Sequence, residues 1–86
     1  MKVRIPTPLR SYTEQQAVVD VEGATIGELL DGLDRRYPGI RFRVVDEQGR
    51  LRRHIKVFVN REAARDLTTT IDPSDEVVIM QALSGG

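Results

Sequence analysis

Between Gly23 and Gly39 the sequence leaves the alternation of a strand for the three- and four-residue spacing of a helix, and it does so only once. Thr25-Ile26-Gly27-Glu28 fits a capping box, with the threonine hydroxyl placed to accept the amide three residues on and Glu28 placed to reach back. Ile26, Leu29, Leu30, Leu33 and Tyr37 follow on one face, and Asp31, Asp34, Arg35 and Arg36 lie elsewhere on the wheel. Pro38-Gly39 ends the helix, because proline disfavours helix at the residue before it and glycine accepts a left-handed exit. Gly27 and Gly32 each cost about 1 kcal/mol of helix propensity, so the leucine face must be held by packing.

On either side the pattern is that of strands. Val3 and Ile5 alternate with Lys2 and Arg4 until Pro6 and Pro8 stop them, and Gln16–Glu22 is a second extended segment, with Val19 and Val21 on one face. These two are expected to form a hairpin joined through residues 7–15. Ile40–Arg53 reads as a short helical turn through Phe42 and Val45, then a turn at Asp46–Gly49. His54–Asn60 is the clearest strand, with Ile55, Val57 and Val59 facing one way and His54, Lys56 and Phe58 the other. Asn60-Arg61-Glu62 reads as a turn into a short edge strand over Ala63–Asp66, Ile71–Glu76 as a loop, and Glu76 to about Ala82 as the last strand.

The order β-β-α-β-β-β, without linker or repeat, points to an α+β fold with one main helix across one face of a mixed sheet of four to five strands. That is the ubiquitin-like β-grasp architecture, in which the first and last strands lie parallel at the sheet centre. The expected division is a domain over residues 1–82 and a flexible Gly-Gly tail over residues 83–86.

Composition removes many functions. The chain has 86 residues and no cysteine, which excludes disulfides, thiolate metal sites and cysteine nucleophiles, and points to a cytoplasmic setting. Charge and proline within "MKVRIPTPLR" fit neither a signal peptide nor a membrane span. Thirteen basic and thirteen acidic residues cancel, unlike the strongly basic balance of nucleic-acid binders. Seven of the eleven arginines fall between Arg35 and Arg53, and they read first as a solvated polar face, second as a docking patch for an acidic partner. The single histidine, His54, reads as a rim residue. Asp72, Asp75 and Glu76 read as turn formers, since calcium-loop spacing is absent, and Gly23, Gly27 and Gly32 form no phosphate loop. No catalytic set and no metal site are expected, and no cofactor is expected to be bound.

The C-terminus stands apart. Two terminal glycines arise by chance in roughly one chain in two hundred, so the signal gains its weight from position, directly after the last strand. Extended, Gln81–Gly86 would reach on the order of 20 Å, and residues without β-carbons let backbone enter a narrow channel. The carboxylate of Gly86 could then be offered to another protein's active site.

These residues resemble the MoaD/ThiS family of ubiquitin-like sulfur carriers along the whole chain: Ile5, Pro6, Thr7, Leu9 and Arg10 at the opening, "GATIGELLDGLDRRYPGI" as the helix, "VFVN" as the third strand and "DPSDEVVIMQALSGG" as the end. The resemblance implies that an E1-like adenylyltransferase consumes ATP to adenylate Gly86 and that a sulfur donor, a sulfurtransferase or sulfide, converts it to a thiocarboxylate. Leu83, Ser84, Gly85 and Gly86 would enter the partner's active site. Pro6, Phe58, Val78 and Met80 would form the partner-binding surface, or else Phe58 and Met80 merely cover the sheet edge. Family members often carry an aromatic at the position of Pro6, and this chain does not.

The opening "RIPTPLR" looks most like cysteine-biosynthesis carriers of the CysO type, whose thiocarboxylate is used by a PLP-dependent cysteine synthase and released by a metallopeptidase. The small subunit of molybdopterin synthase is the second reading, although such chains usually place a proline step before the tail, where this one has Gln81. A secondary-metabolite or tRNA-thiolation carrier is the third, and thiamine-type carriers are usually shorter. A ubiquitin-like modifier forming isopeptide bonds through Gly86 and a structural adaptor stay open from other classes.

Overall fold

The computed structural model describes residues 1–82, and the expected tail, Leu83–Gly86, lies outside the described residues. Five strands and two helices follow in the order β1 (Lys2–Arg4), β2 (Val18–Asp20), α1 (Ile26–Arg36), α2 (Ile40–Val44), β3 (Ile55–Val59), β4 (Glu62–Ala63) and β5 (Val77–Gln81), with a 3-10 turn over Thr7–Leu9. The sheet order is β2-β1-β5-β3-β4. β1 runs parallel to β5, with Val3 opposite Val77, and β5 runs antiparallel to β3, so the first and last strands are the central pair. This is the expected ubiquitin-like α+β fold.

The alternation of each strand becomes the two faces of the sheet. Val3, Val19, Val57, Val77 and Ile79 join Ile26, Leu29, Leu30 and Leu33 of α1 in one core. Each such aliphatic side chain contributes about 2 kcal/mol on burial, which offsets the two glycines inside the helix. Val59 is only partly buried, packed against that core.

The start of α1 is secured from two directions. Thr25 Oγ1 accepts the Glu28 amide at 3.2 Å, while Glu28 Oε1 accepts the amide of Ala24, one residue before the cap. The next two amides, of Ile26 and Gly27, donate to the carbonyls of Thr69 and Leu67 at 3.0 and 2.9 Å. The loop before β5 thus satisfies helix donors that have no partner within the helix. Gly23 leaves room for this packing, since a β-carbon there would lie 2.5 Å from the Leu29 nitrogen.

After α1, Gly39 at φ +100° turns the chain into α2, and Asp34 Oδ1 accepts the amides of Gly39 and Arg41, both at 3.0 Å. The expected turn follows, with Asp46 Oδ1 accepting the amides of Gln48 and Arg50. Two boundaries differ from expectation. The edge strand begins at Glu62 rather than Ala63 and ends at Ala63, because Asn60 and Arg61 both adopt positive φ and form a two-residue hairpin turn. The second strand keeps only Val18–Asp20 of the expected Gln16–Glu22.

Candidate functional site

The chain leaves the sheet at the end of β5. Gln81 pairs with Ile55, and the Ala82 amide donates to the His54 carbonyl at 2.8 Å, so pairing with β3 continues to the last described residue. Central placement between β1 and β3 fixes where the following residues begin. Leu83, Ser84, Gly85 and Gly86, the residues expected to carry the chemistry, lie outside the described residues.

The sheet face turned away from the core brings together three of the four residues expected at a partner surface. Phe58 stands opposite Val78 across β3 and β5, and Met80 is the next outward residue on β5, opposite Lys56. Met80 is 52% exposed, unusual for a large apolar side chain in a central strand. A shallow hollow of 280 Å³ is lined by Phe58, Val78 and Met80 with Arg61 and Glu76. A second hollow, of 210 Å³, shares Phe58 and Met80 and adds Arg53, His54, Lys56, Gln81 and Ala82. The apolar strip therefore runs to the base of the tail with cations along its sides. Arg4 of β1 lies opposite Val78 on the other flank. Pro6 is half-buried at the start of the 3-10 turn and lines neither hollow.

Sequence reasoning did not find a third depression, of 290 Å³, on the other side of Gln81. It is lined by Pro8, Leu9, Ser11, Tyr12, Arg43, His54 and Gln81. Its residues come from four segments, and the only local signal for it was that Tyr12 is an aromatic in a polar connection.

The arginine-rich stretch is largely engaged within the molecule. Arg41 pairs with Asp31 at 2.9 Å, Arg36 donates to the Asp20 carbonyl at 3.0 Å, and Arg52 donates to the Phe42 carbonyl at 2.7 Å while lying 4.7 Å from that ring's centre. This stacking accompanies Phe42, which with Met80 is an exposed large apolar residue among the described residues, at 57%. His54 is exposed, on the rim as expected. Asp75 forms the expected turn, its carboxylate accepting the Asp72 amide at 2.8 Å and the Asn60 side-chain amide at 2.7 Å. Among the described residues no cluster of His, Asp or Glu is arranged to hold a metal ion, and no helix is long and apolar enough to cross a membrane.

A β-grasp sheet with a glycine pair after its central strand defines a ubiquitin-like protein. The model of the ThiS family matches residues 3–86, and the chain belongs to that family. It is 38% identical over 89 residues to the sulfur carrier protein CysO of Mycobacterium tuberculosis, spanning 98% of this chain and 96% of that one. It is 41% identical over 69 residues to small archaeal modifier protein 1 of Haloferax volcanii, spanning 79% and 78%. Among solved structures, a chain of the Amycolatopsis orientalis BexX/CysO complex superposes with a TM-score of 0.91 at 36% identity, covering 99% of this chain and 98% of that one. Mycobacterium tuberculosis CysO gives 0.89 at 36% identity, covering 95% and 98%. The likeness to CysO-type carriers extends over nearly the full chain in both sequence and structure.

Proposed function

We propose that this protein is a sulfur carrier whose Gly86 carboxylate is adenylated by an E1-like partner and converted to a thiocarboxylate, with cysteine biosynthesis as the receiving pathway. The observation that carries the reading is the placement of β5. A strand paired with β1 at Val77 and Val78 and with β3 up to Ala82 delivers the last four residues from a fixed point, beside an exposed apolar strip suited to a transient protein contact. The near full-length likeness to CysO supports the pathway.

A plain carboxylate is a poor acyl donor. Attack of the Gly86 carboxylate on the α-phosphorus of ATP releases pyrophosphate and leaves an acyl adenylate. Hydrosulfide from the donor then attacks the carbonyl and expels AMP, leaving the thiocarboxylate. Beyond the Gly86 carboxylate itself these steps need no acid, base or nucleophile from this chain, which acts as a co-substrate and not as the enzyme. In the cysteine pathway the thiocarboxylate sulfur is alkylated by an activated serine derivative on a PLP-dependent synthase, and a metallopeptidase frees the product. That a structural neighbour belongs to a BexX/CysO complex supports action through a partner.

One residue added after Gly86 tests this. ATP–pyrophosphate exchange by the activating enzyme is expected to vanish with the extended chain, and exchange at the normal rate would contradict the reading. The likeness to a small archaeal modifier favours a second reading, isopeptide linkage of Gly86 to lysines, which denaturing gels of cell extracts under reducing conditions detect as conjugates.

A further inference from the structure

We propose that the depression between Tyr12, Arg43, His54 and Gln81 is a docking notch for a carboxylate side chain, Asp or Glu, on the protein that activates the tail, with Arg43 as the cation that reads it. This rests on the carrier reading above.

Arg43 is the arginine that lines this depression. Its Nε–H donates to the Tyr12 hydroxyl at 2.6 Å, and its guanidinium carbon lies 5.8 Å from the centre of that ring. Tyr12 therefore holds the guanidinium through one edge and leaves the terminal amino groups for a planar anion. Among the described residues Arg43 has no carboxylate partner, whereas Arg41 is paired with Asp31. Ser11, His54 and Gln81 add polar groups to the same wall, and no carboxylate lines it. An arginine already ordered by an intramolecular contact loses less freedom when it binds.

Charge and place select the occupant. At 290 Å³ the depression lies at the small end of ligand-pocket sizes, about 300–1,000 Å³, and has room for an acidic side chain. Gln81 forms part of it one residue before the last described residue, which places the depression beside the base of the tail that the activating protein takes up. Charge complementarity then calls for an acid on that protein, where a peripheral charge pair acts mainly on association and its salt dependence.

The experiment measures kcat/KM for adenylation of the full chain by its activating enzyme at low and high salt, comparing wild type with Arg43→Glu, Arg43→Lys and Arg50→Glu. Arg50→Glu matches the charge change on an exposed turn. Arg43→Glu is expected to raise KM by about tenfold at low salt with kcat kept, with the difference shrinking at high salt. Arg43→Lys should restore part of the loss, Arg50→Glu should behave as wild type, and all four should melt cooperatively well above the assay temperature, since Arg43→Glu loses only the contact with Tyr12. Equal kcat/KM for wild type and Arg43→Glu at both salts overturns the notch while the carrier reading stands. So does a loss independent of salt, or a faster reaction with Arg43→Glu, the sign that the chain's own terminal carboxylate occupies the site. A wild-type chain that is not adenylated at all removes the carrier reading and the notch with it.

Discussion

The Ala82 amide donates to the His54 carbonyl at 2.8 Å, and this bond is the last rung between β5 and β3 among the described residues. Proline at position 82 would remove the donor. Ala82→Pro is expected to lower stability by about 1 kcal/mol, read as a reduced urea midpoint at unchanged slope. A midpoint equal to wild type would mean that the rung does not anchor the tail.

Asn60 ties the β3–β4 turn to the start of β5. Its amide donates to the Glu76 carbonyl, its side-chain nitrogen donates to Asp75, and its side-chain oxygen accepts the Glu76 amide at 3.0 Å. Its φ is +50°, a left-handed conformation that asparagine tolerates better than alanine. Asn60→Ala is expected to cost about 2 kcal/mol in chemical denaturation and Asn60→Gly about half of that, since glycine restores the backbone freedom and loses only the side-chain bonds.

Stability should form a plateau in pH with two shoulders. Hydrogen bonding to the terminal amine of Met1 holds Asp20 below the usual carboxylate value, the backbone amide of Arg50 does so for Asp46, and the Thr68 hydroxyl for Asp66. A depressed carboxylate stabilises the fold above its unfolded value, near pH 4, and that stability is lost as pH falls through the folded value. The Met1 amine is raised, chiefly by its hydrogen bonds to Asp20 and then Glu22. Its contribution is complete below its unfolded value, near pH 8, and is lost as pH rises through the folded one. Melting temperature followed across pH checks both shoulders, and Asp20→Asn is expected to weaken each.

How much of this was legible depended on range along the chain. α1 was readable because Thr25, Glu28 and four buried aliphatics lie within one short segment, and the faces of β3 and β5 were readable because alternation is local. The edge strand was misplaced because Arg61 adopts positive φ without being glycine, a choice imposed by the hairpin and invisible in residue type. The loop carbonyls of Leu67 and Thr69 that cap α1 lie about forty residues from it and carry no side-chain signal. The outward trio of Phe58, Val78 and Met80 followed from strand parity, but the notch needed Tyr12 and Arg43, 31 positions apart, to meet.

The apolar strip separates folding from binding. Met80 contributes little to the core at 52% exposure, so Met80→Asp should change stability by less than about 0.5 kcal/mol. Partner affinity should fall by more than about tenfold, because a charge would be placed at the centre of the contact. Calorimetric titration of the activating enzyme with each chain checks this, and equal affinities would assign Phe58 and Met80 to covering the sheet.

The central claim is that Gly86 carries the sulfur. Intact-mass spectrometry of the chain after incubation with its E1-like enzyme, ATP and a sulfur donor tests it directly. The account predicts a mass increase equal to the exchange of one oxygen for sulfur, dependent on ATP and mapped by fragmentation to Gly86. An unchanged mass with every cognate activating enzyme, or a shift mapped to another residue, would contradict it.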